Sequence, residues 1–107
     1  MASERPILIV DDDPDLCQML AEQLALEGEF VAVGAGTLAA AERHLAAQDA
    51  RFDAVLLDVG MPDGDGRDFC LRLRRQGHKM PILMLTGSDA ERDVVRGTLR
   101  MVFLVER

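Results

Sequence analysis

The chain is short of cysteine, of positive charge and of long apolar runs, and each shortage excludes something. Its two cysteines, Cys17 and Cys70, lie far apart and form neither a CxxC nor a zinc-ligand spacing. A disulfide framework and a zinc site are therefore set aside, and two buried, reduced thiols of a cytosolic protein are expected. The formal net charge is −7, with no stripe of Lys or Arg. Direct nucleic-acid binding needs phosphate neutralisation, so it is excluded. No apolar run approaches the roughly 20 residues that cross a bilayer, and no signal peptide precedes the first strand. A cytoplasmic location without membrane contact is expected. There is no Trp, no Tyr, no internal repeat and no low-complexity segment, yet 49% of the 107 residues are hydrophobic. That composition is globular and suits a single domain over residues 1–107 with one modest core.

One stretch organises the rest: Phe52-Asp53-Ala54-Val55-Leu56-Leu57-Asp58-Val59-Gly60-Met61-Pro62-Asp63-Gly64-Asp65-Gly66. Ala54 to Leu57 is a short aliphatic run of the kind buried on both faces in a parallel sheet. It closes on a carboxylate, Asp58. The Gly-, Pro- and Asp-rich segment that follows reads as a loop that neither helix nor strand would tolerate. Asp58 is thus placed at the carboxyl edge of a buried strand, where open α/β sheets bind ligands.

The remaining chain supplies neighbours for it. Pro6 to Val10 reads as the first strand and runs into Asp11-Asp12-Asp13-Pro14-Asp15. Asp13 suits an N-cap, Pro14 the first helical position, and Asp15 the first turn, where it complements the helix dipole. Leu16, Leu20 and Leu24 give this helix an apolar stripe widened by Cys17 and Ala21, and Gly28 ends it. Phe30 to Val33 reads as a second strand. Thr37 caps a second helix, on which His44 is expected as a solvated surface residue. Arg67 to Gln76 forms a third helix ending at Gly77. Ile82 to Leu85 makes a fourth strand closing on Thr86, Ala90 to about Arg96 a fourth helix, and Met101 to Val105 a fifth strand. Strict alternation of short buried strands and helices predicts an α/β, doubly wound, five-stranded parallel sheet of flavodoxin-like order 2-1-3-4-5.

In that order the first, third and fourth strands are neighbours, so Asp11, Asp12, Asp58 and Thr86 converge. Clustered carboxylates repel unless something neutralises them. A hard divalent cation does so, and Mg²⁺ favours a few carboxylates with water and phosphate oxygens. Thr86 adds a hydroxyl able to bond a phosphoryl oxygen. Asp58, the central carboxylate, is the natural nucleophile. The competing reading, that these acids only cap helices and turns, fits Asp13 and Asp15 better than the converging three.

These segments resemble the receiver domain of two-component response regulators. The resemblance lies in Ile7-Leu8-Ile9-Val10-Asp11-Asp12-Asp13, in Leu56 through Gly66, and in Pro81-Ile82-Leu83-Met84-Leu85-Thr86-Gly87. It implies that Asp58 is the phosphoacceptor and Asp12 the direct Mg²⁺ ligand, with Asp11 acting through water. It further implies the backbone carbonyl of Gly60 as third protein ligand and Thr86 as the switch hydroxyl. The phosphodonor would be a histidine kinase or phosphotransfer protein, and the chain a signalling module rather than an enzyme. Residues 6–97 follow the pattern and residues 98–107 depart from it. The family places a Lys after the fifth strand, where Glu106-Arg107 stands here, and a fifth helix for which there is no sequence. The face that helix would cover is expected to drive self-association, with exchange of the C-terminal segment as one route, or else leave the chain marginally folded. Two further readings stay open. One is a degenerate receiver that works by protein contacts alone; the other is a small Mg²⁺-dependent phosphohydrolase with an aspartyl nucleophile.

Overall fold

The computed structural model describes residues 5–47, 51–86 and 101–105, with Thr86 and the last segment described through their backbone only. The apolar runs form strands β1 (Arg5–Val10), β2 (Phe30–Ala35), β3 (Ala54–Asp58), β6 (Ile82–Thr86) and β7 (Met101–Val105). Between them lie helices α1 (Pro14–Leu26), α2 (Leu38–Ala46) and α3 (Gly66–Arg75), and two short strands, β4 (Gly60–Met61) and β5 (Gly64–Asp65). The main sheet has the order β2-β1-β3-β6-β7, which is the expected flavodoxin-like arrangement of an α/β fold.

The caps fall where local chemistry puts them. Asp13 accepts from the N–H groups of Asp15 (3.0 Å) and Leu16 (3.2 Å) at the start of α1. The Thr37 hydroxyl accepts from Ala40 N–H at 3.0 Å at the start of α2. Gly28 and Gly77 follow α1 and α3 with φ of +83° and +94°, a region that L side chains avoid.

Strands β2, β1, β3 and β6 are parallel, with Leu8 opposite Val55, Val10 opposite Leu57 and Val55 opposite Ile82. The fifth strand departs from expectation: β7 pairs with β6 antiparallel, Ile82 opposite Val105 and Thr86 opposite Met101. A parallel neighbour requires a crossover that carries the chain back along the sheet, whereas an antiparallel edge strand does not. The helix expected over Ala90–Arg96 lies outside the described residues.

Right-handed crossovers put α1 on one face of the sheet and α2 and α3 on the other. The second face is the core. Leu8, Val10, Val55, Leu57, Ile82 and Met84 from the strands pack with Leu38, Ala41 and Leu45 of α2 and Phe69, Cys70 and Leu73 of α3. The α1 face is less complete. Ile7 and Ile9 are buried, but Leu56 and Leu83 are only half-buried, and no residue of α1 is buried at all. Cys17 is accordingly half-buried rather than buried, while Cys70 is buried as expected. His44 is also not a fully solvated residue: it is half-buried, its ring edge-on to Phe52 with centroids 6.5 Å apart. No helix among the described residues is long and apolar enough to cross a membrane.

Candidate functional site

Asp11 follows the last residue of β1, and Asp58 is the last residue of β3. Because Val10 lies opposite Leu57, the two carboxylates leave neighbouring strands at the same level of the sheet edge. Asp12 joins them, and one oxygen from each of the three lies within 4.8 Å of the others. Asp11 and Asp58 are each 1% exposed, the only buried charged side chains among the described residues, whereas Asp12 is exposed. The cluster is therefore built into the fold on two sides and reaches solvent through the third.

Backbone groups hold it in place. Asp11 N–H donates to the Ala35 carbonyl (3.1 Å), and its Oδ1 accepts from Asp13 N–H (2.9 Å). The Cys17 thiol donates to the Asp11 carbonyl at 3.4 Å. Asp58 Oδ1 accepts from Gly60 N–H at 3.3 Å. Val59 N–H donates to Leu85 O (3.2 Å) and Gly66 N–H to Val59 O (2.7 Å). The last bond lays the start of α3 directly on the backbone of Asp58 and Val59. A Cβ at position 66 would sit 2.3 Å from the Asp58 carbonyl oxygen, so only glycine fits there.

The segment after Asp58 corrects the expectation of a plain loop. Gly60 pairs with Asp65 and Met61 with Gly64 in a two-rung antiparallel hairpin. Pro62 and Asp63 occupy its tip, where proline's missing N–H is not needed. Gly60, exposed at the start of β4, lies two residues beyond Asp58 with its carbonyl in this hairpin. Thr86 closes β6, one residue past Leu85, which lies opposite Asp58. Its backbone therefore stands at the same sheet edge.

Two further acids near the site hold structure together. Asp65 caps α3, accepting from Arg67 N–H at 2.7 Å. The Arg67 side chain and that N–H hold its carboxyl below the ordinary range. Asp63 reaches across to α2 and accepts from Leu38 N–H (2.8 Å) and Ala39 N–H (3.0 Å). Those two bonds hold its carboxyl below the ordinary range as well. The Asp65 cap is readable in the sequence as an Asp just before a helical run. Asp63 carries no local signal, because its partners lie 24 and 25 residues away.

An all-oxygen donor set on a sheet edge, two members buried and one open to water, has the chemistry that a small hard dication prefers. The three carboxylates could hold such an ion.

Residues 7–101 match the family model of the response regulator receiver domain. The transcriptional regulatory protein TcrA of Mycobacterium tuberculosis is 42% identical over 92 residues, covering 85% of this chain and 35% of TcrA. CpxR of Escherichia coli, also a transcriptional regulatory protein, is 42% identical over 91 residues, covering 85% of this chain and 37% of CpxR. The chain thus spans about a third of the length of these relatives. Among solved structures, the MaeR response regulator bound to beryllium trifluoride superposes with a TM-score of 0.72 at 31% identity, over 87% of this chain and 75% of that one. TrrA from Thermotoga maritima, in complex with Mg²⁺-BeF, gives 0.70 at 28% identity, over 83% of this chain and 75% of that one. With motif residues, strand order and family model in agreement, the chain belongs to the response regulator receiver domains of two-component systems.

Proposed function

We propose that this receiver accepts a phosphoryl group on Asp58 from a histidine kinase or phosphotransfer protein. The observation that carries the proposal is the trio of Asp11, Asp12 and Asp58, with one oxygen from each within 4.8 Å at the carboxyl edge of a buried sheet. An Asp58 carboxylate oxygen attacks phosphorus as the phosphorus–nitrogen bond to the donor imidazole breaks, leaving an acyl phosphate on Asp58; the departing ring nitrogen keeps the bonding electron pair, and the imidazole leaves neutral with a proton drawn from solvent. Asp11, Asp12 and Asp58, with the Gly60 carbonyl, would hold Mg²⁺. When bound, the ion offsets charge on the transferred oxygens. Gly60 N–H orients the nucleophile by holding Asp58 Oδ1. Thr86, whose backbone closes β6 at this edge, takes the switch role that the family resemblance implies.

The domain acts as a signalling module and not as an enzyme with its own substrate. Its relatives are transcriptional regulatory proteins, so transcriptional control is the output it serves. Residues 87–107 contain no lysine, and β7 runs antiparallel so that its end, Val105 opposite Ile82, lies at the edge away from Asp58; the lack of the family's lysine favours a second reading in which the chain signals by protein contact without phosphate. The half-buried stripe of Leu16, Leu20 and Leu24 on α1, and the half-buried Leu56 and Leu83 of the sheet, support self-association through that face. Peptide mapping of the phosphorylated protein tests the assignment of roles. The adduct is expected on the peptide carrying Asp58, and an adduct on Asp11 or Asp12 overturns it.

A further inference from the structure

We infer that Asp63 is a positioning residue for the metal site, acting by pinning the hairpin that carries Gly60 onto the N-terminus of α2. The inference rests on the phosphoacceptor reading above and goes beyond it, because Asp63 lies outside the carboxylate trio.

The hairpin is small. Two rungs hold it together, and the Gly60 rung supplies the carbonyl proposed as a ligand. An isolated hairpin of this size is not stable in water, so something outside must fix it. At its base, Gly66 N–H bonds to Val59 O at 2.7 Å and Asp65 caps α3. At its tip, Asp63 is the anchor. Its two carboxylate oxygens take two successive N–H groups of α2, Leu38 at 2.8 Å and Ala39 at 3.0 Å. Two bonds from one planar group fix direction as well as distance, and charged acceptors make the stronger bonds.

The location adds to the grip. The first N–H groups of a helix have no intrahelical acceptor and form its positive end. The hydroxyl of Thr37, the cap residue, accepts from Ala40 N–H, and its carbonyl from Ala41 N–H. Asp63 satisfies Leu38 and Ala39 from a distant segment, so α2 is capped jointly by its own threonine and by the hairpin. Packing closes the joint: a Cβ on Gly64 would lie 3.0 Å from the Leu38 side chain. The hairpin tip is thus seated against α2 by polar and apolar contact together. Loss of Asp63 frees the tip, and the Gly60 carbonyl, three residues before it, loses its fixed position relative to Asp58.

Calorimetric titration of Mg²⁺ into the whole chain and three variants tests this, with folding checked by circular dichroism at the titration temperature. Asp63→Ala is expected to weaken Mg²⁺ binding about tenfold or more, the scale at which groups supporting metal ligands act. Asp63→Asn keeps one acceptor oxygen, is expected to fall between, and serves as the folded variant if the alanine form does not fold. Thr37→Ala removes a bond from the same helix end without touching the hairpin. It is expected to lower the melting temperature yet leave the Mg²⁺ affinity within about twofold, well short of the positioning effect. Wild-type affinity in both Asp63 variants, or an equal loss in Thr37→Ala, overturns the positioning role. Absence of Mg²⁺ binding in the unaltered protein instead overturns the metal reading on which it rests.

Discussion

Replacing Gly66 by alanine sets helix propensity against a backbone collision. In an open helix the change gains about 1 kcal/mol, because alanine is the better helix former. Here the new Cβ would lie 2.3 Å from the Asp58 carbonyl oxygen and 3.1 Å from both Asp58 C and Val59 Cα. All three are backbone atoms, so no rotamer change relieves them. At an ordinary separation of about 3.5 Å, the start of α3 must retreat by roughly 1 Å. That movement draws the 2.7 Å bond from Gly66 N–H to Val59 O beyond useful length. Losing it costs about 1 kcal/mol, and overpacking adds about 1–3 kcal/mol. The net loss is about 1–3 kcal/mol, which for a domain near 100 residues lowers Tm by about 5–20 °C. Gly34→Ala is the matched control: Gly34 lies in β2 with nothing within 4 Å of its added Cβ. That change is expected to be neutral or to stabilise by up to about 1 kcal/mol. Thermal melts followed by circular dichroism read both. Melting of Gly66→Ala at or above the unaltered protein would refute the close approach of α3 to the Asp58 backbone.

Mg²⁺ is expected to raise Tm by binding the native state alone, by about 2.7 kcal/mol of stability at 100-fold excess over Kd; Asp12→Ala should remove most of that shift, and an unchanged shift would place the ion elsewhere. Asp63 and Asp65 both have carboxyls held below their unfolded values. The unfolded chain therefore binds their protons first, so their contribution is complete above the ordinary aspartate range and is lost as pH falls through the depressed folded values. Urea midpoints should drop in that acid window, and less steeply in Asp63→Asn; identical slopes would contradict the linkage. Sedimentation velocity should show a species heavier than the monomer that grows with concentration, driven by the half-buried α1 stripe; a cooperative monomer at every concentration would show that face to be covered.

The main strands and their order were legible because each is a short aliphatic run bounded by breakers. The caps at Asp13 and Thr37 were legible because capping is local chemistry. The convergence of Asp11, Asp12 and Asp58 followed from strand order alone. The direction of β7 was not legible, since a run such as Met101 to Val105 has the same hydropathy read in either direction; the connection before it decides. The two-rung hairpin hid inside a Gly-, Pro- and Asp-rich composition that signals turns. Asp63 looked like one more turn residue, because its helix partners lie far away in the sequence. Periodicity identified the inner stripe of α1, including Cys17, but says nothing of how fully a stripe is covered. The half-buried state of that stripe is a tertiary result.

The most direct measurement is the intact mass of the protein after incubation with acetyl phosphate and Mg²⁺, set beside Asp58→Asn treated identically. The account predicts one added phosphoryl group on the unaltered protein, little without Mg²⁺, and none on Asp58→Asn. An unchanged mass with Mg²⁺ present, or the same addition to Asp58→Asn, would contradict the assignment of Asp58 as phosphoacceptor.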